Sequence, residues 1–387
     1  MRVFIDCRSN GCDQEFFRTE LHWIDHVRDQ RDADIHLLIT QQQTGGGGNE
    51  YTIRLIGQGR WEGREEALRT STEAGEPQDA LRRALVRVFA LMLARYALET
   101  PVGAKLTLTP PSSGAGTQTT ASEDPWNFWV YRLNFNSFVN GEQNSQFGNF
   151  NVGGSANRTT EALKINLDTG FSYSENRYEL SDGRFVSYVR NRRANALVVK
   201  SLSDHWSAGG MVRMSRDTYE NQRLDLRIAP GIEYNFFRYA DSTNRQFTLQ
   251  WTAGFRRFKY DQETIFNKTE ESRWDEQFQA ILSLRQPFGT VRVTTEAAHY
   301  FDHPEQYRFA VFADNEIRLF RGFSFNVDGN YQVIHDQLYL PRRGATDEEI
   351  IARQQQLQTS YRYFMFLGIT YRFGSINNNV VNQRFGG

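Results

Sequence analysis

The stretch LDLRIAPGIEYNF, residues 224 to 236, alternates apolar and polar side chains without interruption. Its apolar members are Leu224, Leu226, Ile228, Pro230, Ile232, Tyr234 and Phe236. A period of two predicts a β-strand with one apolar face. The run is longer than the ~5–6 residues usual in soluble proteins, and its length suits a tilted membrane crossing.

The same alternation recurs from Trp126 to Phe373 and predicts twelve strands. Their approximate ranges are 127–140, 145–157, 162–176, 184–200, 205–217, 222–237, 245–259, 273–286, 290–301, 306–319, 323–336 and 360–373. An even number is what single-chain bacterial barrels contain.

A soluble β-sandwich also alternates, so three further features decide the class. The polar faces carry charges at mid-strand, and aromatic residues collect near strand ends, as in membrane interfaces. Some connections are tight, such as 203–205, 287–289 and 320–322, whereas 259–273 and 337–360 are long. We therefore predict a transmembrane antiparallel β-barrel whose tight turns lie on the periplasmic side.

Composition excludes several other classes. The 387 residues are 24% charged and 14% aromatic with a net charge of -1, which argues against disorder and against nucleic-acid binding. The best candidate for a spanning helix, 84–98, is too short and contains Arg87 and Arg95.

The first 99 residues predict a small α/β domain of order β-α-β-β-α. The predicted strands are 3–6, 34–41 and 50–57, and the predicted helices are 15–28 and 79–98. Residues 100–125 are rich in Pro, Ser, Thr and Gly and predict a flexible linker. The barrel then occupies 126–374, and 375–387 form a C-terminal tail. We place this domain and the tail in the periplasm.

The only cysteines, Cys7 and Cys12, are close together and would form a small-loop disulfide in an oxidising compartment. In a cytosolic chain they would be free thiols. His22 and His26 are the only nearby residues that could complete a zinc site, and we interpret them as surface residues, expecting no metal and no cofactor.

Met1 runs straight into Val3 without an apolar leader, so we expect either a mature form with an added Met or a misplaced start.

Charged residues of both signs are predicted to face the lumen. They include Arg132, Lys164, Asp168, Arg213, Asp225, Arg227, Glu233, Arg256, Arg292, Glu296, Arg308, Asp314, Glu316 and Asp328. Mixed signs favour cross-strand salt bridges over an ion-selective ring. A packed interior and a narrow polar channel both remain open.

The final strand contains Gly368, Tyr371 and Phe373, spaced so that it resembles the C-terminal β-signal read by the barrel-assembly machinery. The tail after Phe373 departs from that signal. The resemblance implies that this machinery and outer-membrane lipid are partners of the chain.

Over its length the chain resembles uncharacterised outer-membrane β-barrel proteins related to the DUF481 (salt-induced outer membrane protein) group. The resemblance rests on residues 4–7, 51–59, 196–202, 336–341 and 360–373. It implies a Gram-negative outer-membrane location and no activity, because the group has none established.

Three functions follow as hypotheses. The first is a non-enzymatic, porin-like narrow channel or transport-associated barrel. The second is an assembly component that docks a periplasmic partner through residues 1–99, and the third is a surface hydrolase using Asp302, His303 and Asp336 at the outer rim. His299 and His335 are predicted to face lipid, and Ser360 is poorly placed as a nucleophile for His335.

A short helix is also predicted from Thr346 to about 357, led by a capping box.

Overall fold

A computed structural model describes residues 1–7, 12–44, 48–72, 75–105, 126–180, 183–343, 356–375 and 379. Three segments lie outside these residues: most of the predicted linker, the glycines at 45–47, and residues 346–355 of the predicted helix. The described chain forms two sheets, one of five strands and one of twelve.

The N-terminal sheet has the order β2-β1-β3-β4-β5, with β1 parallel to β2 and β3 and the remaining pairs antiparallel. The strands are β1 Arg2–Cys7, β2 Asp25–His26, β3 Ile35–Gln43, β4 Asn49–Gly57 and β5 Glu65–Thr72. The helices are α1 Gln14–Glu20 and α2 Gln78–Ala97. No helix in the described ranges has the length and apolarity that crossing a bilayer requires.

The two faces of this sheet have different neighbours. One face, represented by Val3, Leu37 and Leu55, packs on the helices in a core that includes Phe17 and Phe89. Alternation places the opposite side chains on the other face. They are Phe4, Asp6, His36, Leu38 and Thr40. This second face is directed toward the twelve-stranded sheet.

The N-terminal domain corrects two details of the prediction. Helix α1 ends at Glu20 instead of 28, because Asp25 and Val27 donate their backbone N–H groups to Met1 and Val3 and form β2. Strand β5 was missed because its sequence, EEALRTST, has no apolar alternation.

The twelve predicted barrel strands are confirmed. They are β6 Trp129–Gly141, β7 Ser145–Thr159, β8 Leu163–Leu180, β9 Gly183–Ser201, β10 Trp206–Asp217, β11 Gln222–Asn235, β12 Arg245–Tyr260, β13 Glu270–Gln286, β14 Gly289–Tyr300, β15 His303–Phe320, β16 Phe323–Ile334 and β17 Tyr361–Tyr371. Each pairs antiparallel with its sequence neighbours, giving the order β17 through β6.

Cross-strand register keeps one face apolar around this sheet. Leu226, Ile228 and Ile232 point outward, and large outward side chains such as Ile228 and Trp251 remain exposed. An exposed apolar surface that extends around a whole sheet is unfavourable in water and suits contact with hydrocarbon.

Aromatic residues concentrate at both ends of the outward face. At one end, Phe236 stacks on Phe247 with ring centroids 4.7 Å apart. At the other end, Phe255 contacts Trp274 at 5.4 Å. Phe247 and Phe255 are separated by about 20 Å along the axis at a ~40° strand tilt, close to the ~25 Å apolar band of known barrels.

The two ends of the barrel differ in their connections. The end nearer the N-terminal domain, called the proximal end, has tight turns at 287–288 and 321–322, and the other end, called the distal end, has the long 335–360 connection. At Gly322 a φ of +71° and a would-be Cβ 2.0 Å from the Arg372 carbonyl oxygen require glycine. The predicted asymmetry is incomplete, because the proximal connection 236–244 is also long and the connection 142–144 at the distal end is short.

The sheet curls around an interior. Asn221, beside β11, donates through Nδ2 to the carbonyl oxygen of Tyr339, which follows β16, at 2.9 Å. A flat sheet would separate these strands by about 24 Å. Strands β6 and β17 form the two edges, and no ladder joins them within the described residues. The barrel therefore has a seam, where Leu133 is 90% exposed.

Candidate functional site

Paired charges fill the distal half of the lumen. The Arg227 guanidinium donates through Nε to Asp275 at 2.8 Å and through Nη2 to Thr252 at 3.1 Å. Arg256 pairs with Asp225 at 2.6 Å. Arg227, Asp275 and Asp225 are buried. Ion pairs buried in this way obstruct the lumen and hold neighbouring strands together.

Strand register places all of the predicted lumen charges on the inward face. These are Arg132, Lys164, Asp168, Arg213, Asp225, Arg227, Glu233, Arg256, Arg292, Glu296, Arg308, Asp314, Glu316 and Asp328. The structure brings several of them into cross-strand contacts, such as Arg308 with Asp336 at 3.1 Å and Glu296 with Gln279 at 2.7 Å. Asp314 and Asp328 are direct register partners of like charge.

The opposite side of the lumen, on β6 to β8, is uncharged and polar over much of its length. Asn149 donates to Ser174 at 2.7 Å, and Asn151 donates to Asn149. Asn134 covers Gly153, whose would-be Cβ lies 2.5 Å from the Asn134 Oδ1 atom. Amides and hydroxyls of this kind hydrogen-bond to water and to polar solutes.

Two loops cover the distal mouth. Leu338, Tyr339 and Leu340 enter the lumen and form a buried cluster with Phe258 and Tyr300. The 261–269 loop meets them through a Thr264–Pro341 bridge. The Tyr339 hydroxyl donates to the Gln356 Oε1 atom at 2.7 Å.

The N-terminal domain contacts the proximal end of the barrel with the sheet face that its helices leave free. The lumen-facing Arg318 reaches this face and donates through Nη2 to the Asp6 carboxylate at 2.6 Å. The same carboxylate lies 3.2 Å from Nε2 of the buried His36. One carboxylate therefore connects the barrel wall to the centre of the N-terminal sheet.

The charge state of Asp6 follows from these contacts. Burial alone would raise the pKa of this carboxyl, but the hydrogen bonds from Arg318 and His36 outweigh burial and hold the pKa well below its ordinary value. Asp6 is therefore ionised at neutral pH, and its contact with Arg318 is charge-assisted.

Further hydrogen bonds fix the domain at the proximal turns. Arg321 pairs with Asp32 at 2.7 Å, and the Gly322 N–H donates to Asp29 at 2.5 Å. Arg285 donates to the carbonyl oxygen of Gln41 at 3.0 Å. The contacts span β13 to β16, so the domain rests on this part of the rim.

Sequence reasoning missed this junction. Asp6 is the one charged residue in the β1 sequence after Arg2, on the face opposite the buried Val3 and Ile5. A carboxylate in the middle of a short, otherwise apolar strand was the available signal.

The residues considered for hydrolysis each contact a different partner. Asp302 pairs with Arg273 at 2.6 Å, His303 with Glu305 at 2.9 Å and Asp336 with Arg308. His299 points outward and contacts Glu276 at 2.8 Å, and the His335 ring lies tilted against Tyr307 with ring centroids 4.8 Å apart. These contacts do not bring the predicted rim residues together, and Ser360 is connected to Ile334 only through its carbonyl oxygen.

The two cysteines and the predicted β-signal residues make structural contacts. Cys7 and Cys12 are joined by a disulfide with a Cα–Cα distance of 5.7 Å. Gly368 faces inward, and Tyr371 and Phe373 face outward with ring centroids 5.6 Å apart. Within the described residues no group of three His, Cys, Asp or Glu has metal-binding geometry.

These features define a class: a transmembrane antiparallel β-barrel of the outer-membrane type, carrying a small α/β domain on one mouth. No protein-family model matches the chain, and no curated protein matches it. Among solved structures it is similar to the translocator domain of autotransporter NalP from Neisseria meningitidis, at 10% identity and a TM-score of 0.22, over 63% of this chain and 82% of that one. So low a TM-score adds nothing to the argument from geometry.

Proposed function

We propose that this chain is a non-enzymatic, transport-associated barrel of the bacterial outer membrane, whose N-terminal domain closes the proximal mouth at rest. Displacing the domain opens the proximal end of a narrow polar path along the Asn- and Ser-rich wall of β6 to β8. The N-terminal domain and the C-terminus are periplasmic in this proposal. The resemblance to the DUF481 group is consistent with it and supplies no activity.

The contact between Asp6 and Arg318 is the observation that supports the proposal most. A domain tethered only by its linker would not need a buried carboxylate aimed at a lumen arginine. Leaving either partner alone in a buried site is costly, so the pair favours the closed arrangement strongly.

Single-channel recording in planar bilayers tests the proposal. We expect the wild-type protein to show rare current steps and Arg318→Gln to show frequent ones. Arg292→Gln is the matched control, because Arg292 also faces the lumen but forms no hydrogen bond or ion pair with the described residues of the N-terminal domain. Frequent steps in wild type, or equally rare steps in Arg318→Gln, would contradict the closing role.

Docking of a periplasmic protein through residues 1–99 is the second candidate. It is supported by the outer side of α2, where Leu91 is 58% and Leu98 is 65% exposed. Photo-crosslinking from position 91 in cells should capture a specific protein, and Leu91→Glu should abolish that product. Absence of any product specific to wild type would remove this candidate.

We also propose that the chain is not an enzyme, because the rim candidates already form structural ion pairs. His303→Ala and Asp336→Ala should leave any hydrolytic activity of a purified sample unchanged. A loss of activity in both variants, with the barrel still folded, would contradict this.

A further inference from the structure

A cavity of about 820 Å³ lies between the N-terminal domain and the proximal rim of β15 to β17. Its wall combines the β1 and β2 side of the domain with the 320–324 turn and the end of β17. The cavity therefore lies at the level where a membrane-embedded barrel meets lipid headgroups.

The cavity wall is rich in arginine. Six arginines and four carboxylates are among the described residues that line it, and three of the carboxylates, Asp6, Asp29 and Asp32, accept hydrogen bonds that join the domain to the barrel. Glu316, the fourth, has interactions of its own. In contrast, the guanidinium groups of Arg18, Arg28, Arg31 and Arg372 form no ion pair within the described chain. The wall thus holds uncompensated positive charge.

Among the described residues, Arg28 has one donor that is hydrogen-bonded and another that is not. Its Nη2 donates to the Phe373 carbonyl oxygen at 3.3 Å, which fixes the plane of the group. Its Nε is buried without a hydrogen-bond partner. A buried donor left without a partner costs about 1–3 kcal/mol, which an anionic oxygen would recover. Arg31 is held similarly, with Nη2 3.2 Å from the Leu319 carbonyl oxygen.

The opening of the cavity is apolar and aromatic. Phe320 and Phe323 stack with centroids 4.5 Å apart, and Phe373 is 78% exposed beside them. Such side chains contact acyl chains and the glycerol region at membrane interfaces. Arginine is the side chain best suited to bind phosphate oxygens in pairs.

We propose that this junction cavity binds the phosphate of a phospholipid headgroup, with Arg28, Arg31 and Arg372 as its ligands and the acyl chains lying along Phe320 and Phe373. The site uses the same docked domain as the proposed closing function and rests on its membrane location. It does not depend on conduction, so lipid binding and current steps can fail independently.

The test uses the full chain in a zwitterionic detergent, with phosphatidylglycerol titrated and the bound lipid counted by native mass spectrometry. We expect Arg28→Gln combined with Arg372→Gln to weaken binding about tenfold, which corresponds to ~1.4 kcal/mol. The matched control is Arg190→Gln with Arg192→Gln, two outward arginines of β9 that also lack ion pairs. We expect this control to bind as wild type does.

One further variant and one further probe complete the test. Arg28→Lys retains the charge and should retain most of the lipid, which separates charge recognition from misfolding. Inorganic phosphate is the second probe and should bind wild type far more weakly than the lipid does. Equal loss in the test and control variants would overturn the proposal. Inorganic phosphate binding as tightly as lipid would overturn the assignment to a lipid.

Discussion

Replacing Asp6 by Asn should release the N-terminal domain from the barrel. The substitution removes the charge that faces Arg318, and the two side chains are only 5% and 18% exposed. Breaking a buried ion pair costs about 3–5 kcal/mol. Because Arg318 retains some contact with water, we take ~3 kcal/mol, which corresponds to roughly a hundredfold shift in the docking equilibrium.

Hydrogen exchange measures this shift directly. Backbone amides that donate across the junction, such as the Gly322 N–H that donates to Asp29, should exchange up to about a hundredfold faster in Asp6→Asn. Asp79→Asn is the matched control, because Asp79 is also an aspartate that accepts hydrogen bonds from arginine, here Arg82 and Arg83, but on the exposed surface of α2.

A second variant distinguishes undocking of the domain from unfolding of the domain itself. Arg318→Gln changes only the barrel and should accelerate the same amides while leaving those of α2 protected. Exchange in Asp6→Asn and Arg318→Gln no faster than in Asp79→Asn would refute the reasoning.

Three further predictions follow from the same structure. The pKa of Asp6 is lowered, so its stabilisation of docking is complete above the ordinary carboxyl pKa and is lost as pH falls below it; the protection factors of amides at the junction, which correct for the intrinsic pH dependence of exchange, should be unchanged from pH 7 to about 5 and fall only below about 4. Arg227→Met strands the buried carboxylate of Asp275 and should lower the free energy of unfolding by ~3–5 kcal/mol in urea titrations from liposomes, whereas Arg227→Met with Asp275→Leu should recover most of it. The edge strands carry backbone groups that hydrocarbon cannot satisfy, so cysteines at Ser137 on β6 and at Met365 or its outward neighbours on β17 should cross-link in a bilayer, and failure of every pair would show that the seam stays open.

The barrel was predictable because its signal is periodic and long. Each strand repeats one alternation over more than ten residues, and a slip of one residue would turn Leu226 and Ile228 inward. Register is therefore determined by the apolar face. The seam was not predictable, because alternation specifies faces and says nothing of which edges pair.

The N-terminal domain was less predictable because its signals are local and compete. Ile24 and Val27 continue the helical spacing of α1, yet they are buried from an extended segment that pairs with β1. Backbone pairing with a distant strand overrode the periodicity. The Asp6 junction depends on contacts more than three hundred residues apart in sequence, which no local pattern encodes.

A density map of the full chain in a lipid nanodisc tests the central claim most directly. We predict a twelve-stranded barrel with the α/β domain seated on the proximal mouth and continuous density between Asp6 and Arg318. A barrel with an open proximal mouth and the domain detached in solvent would contradict it.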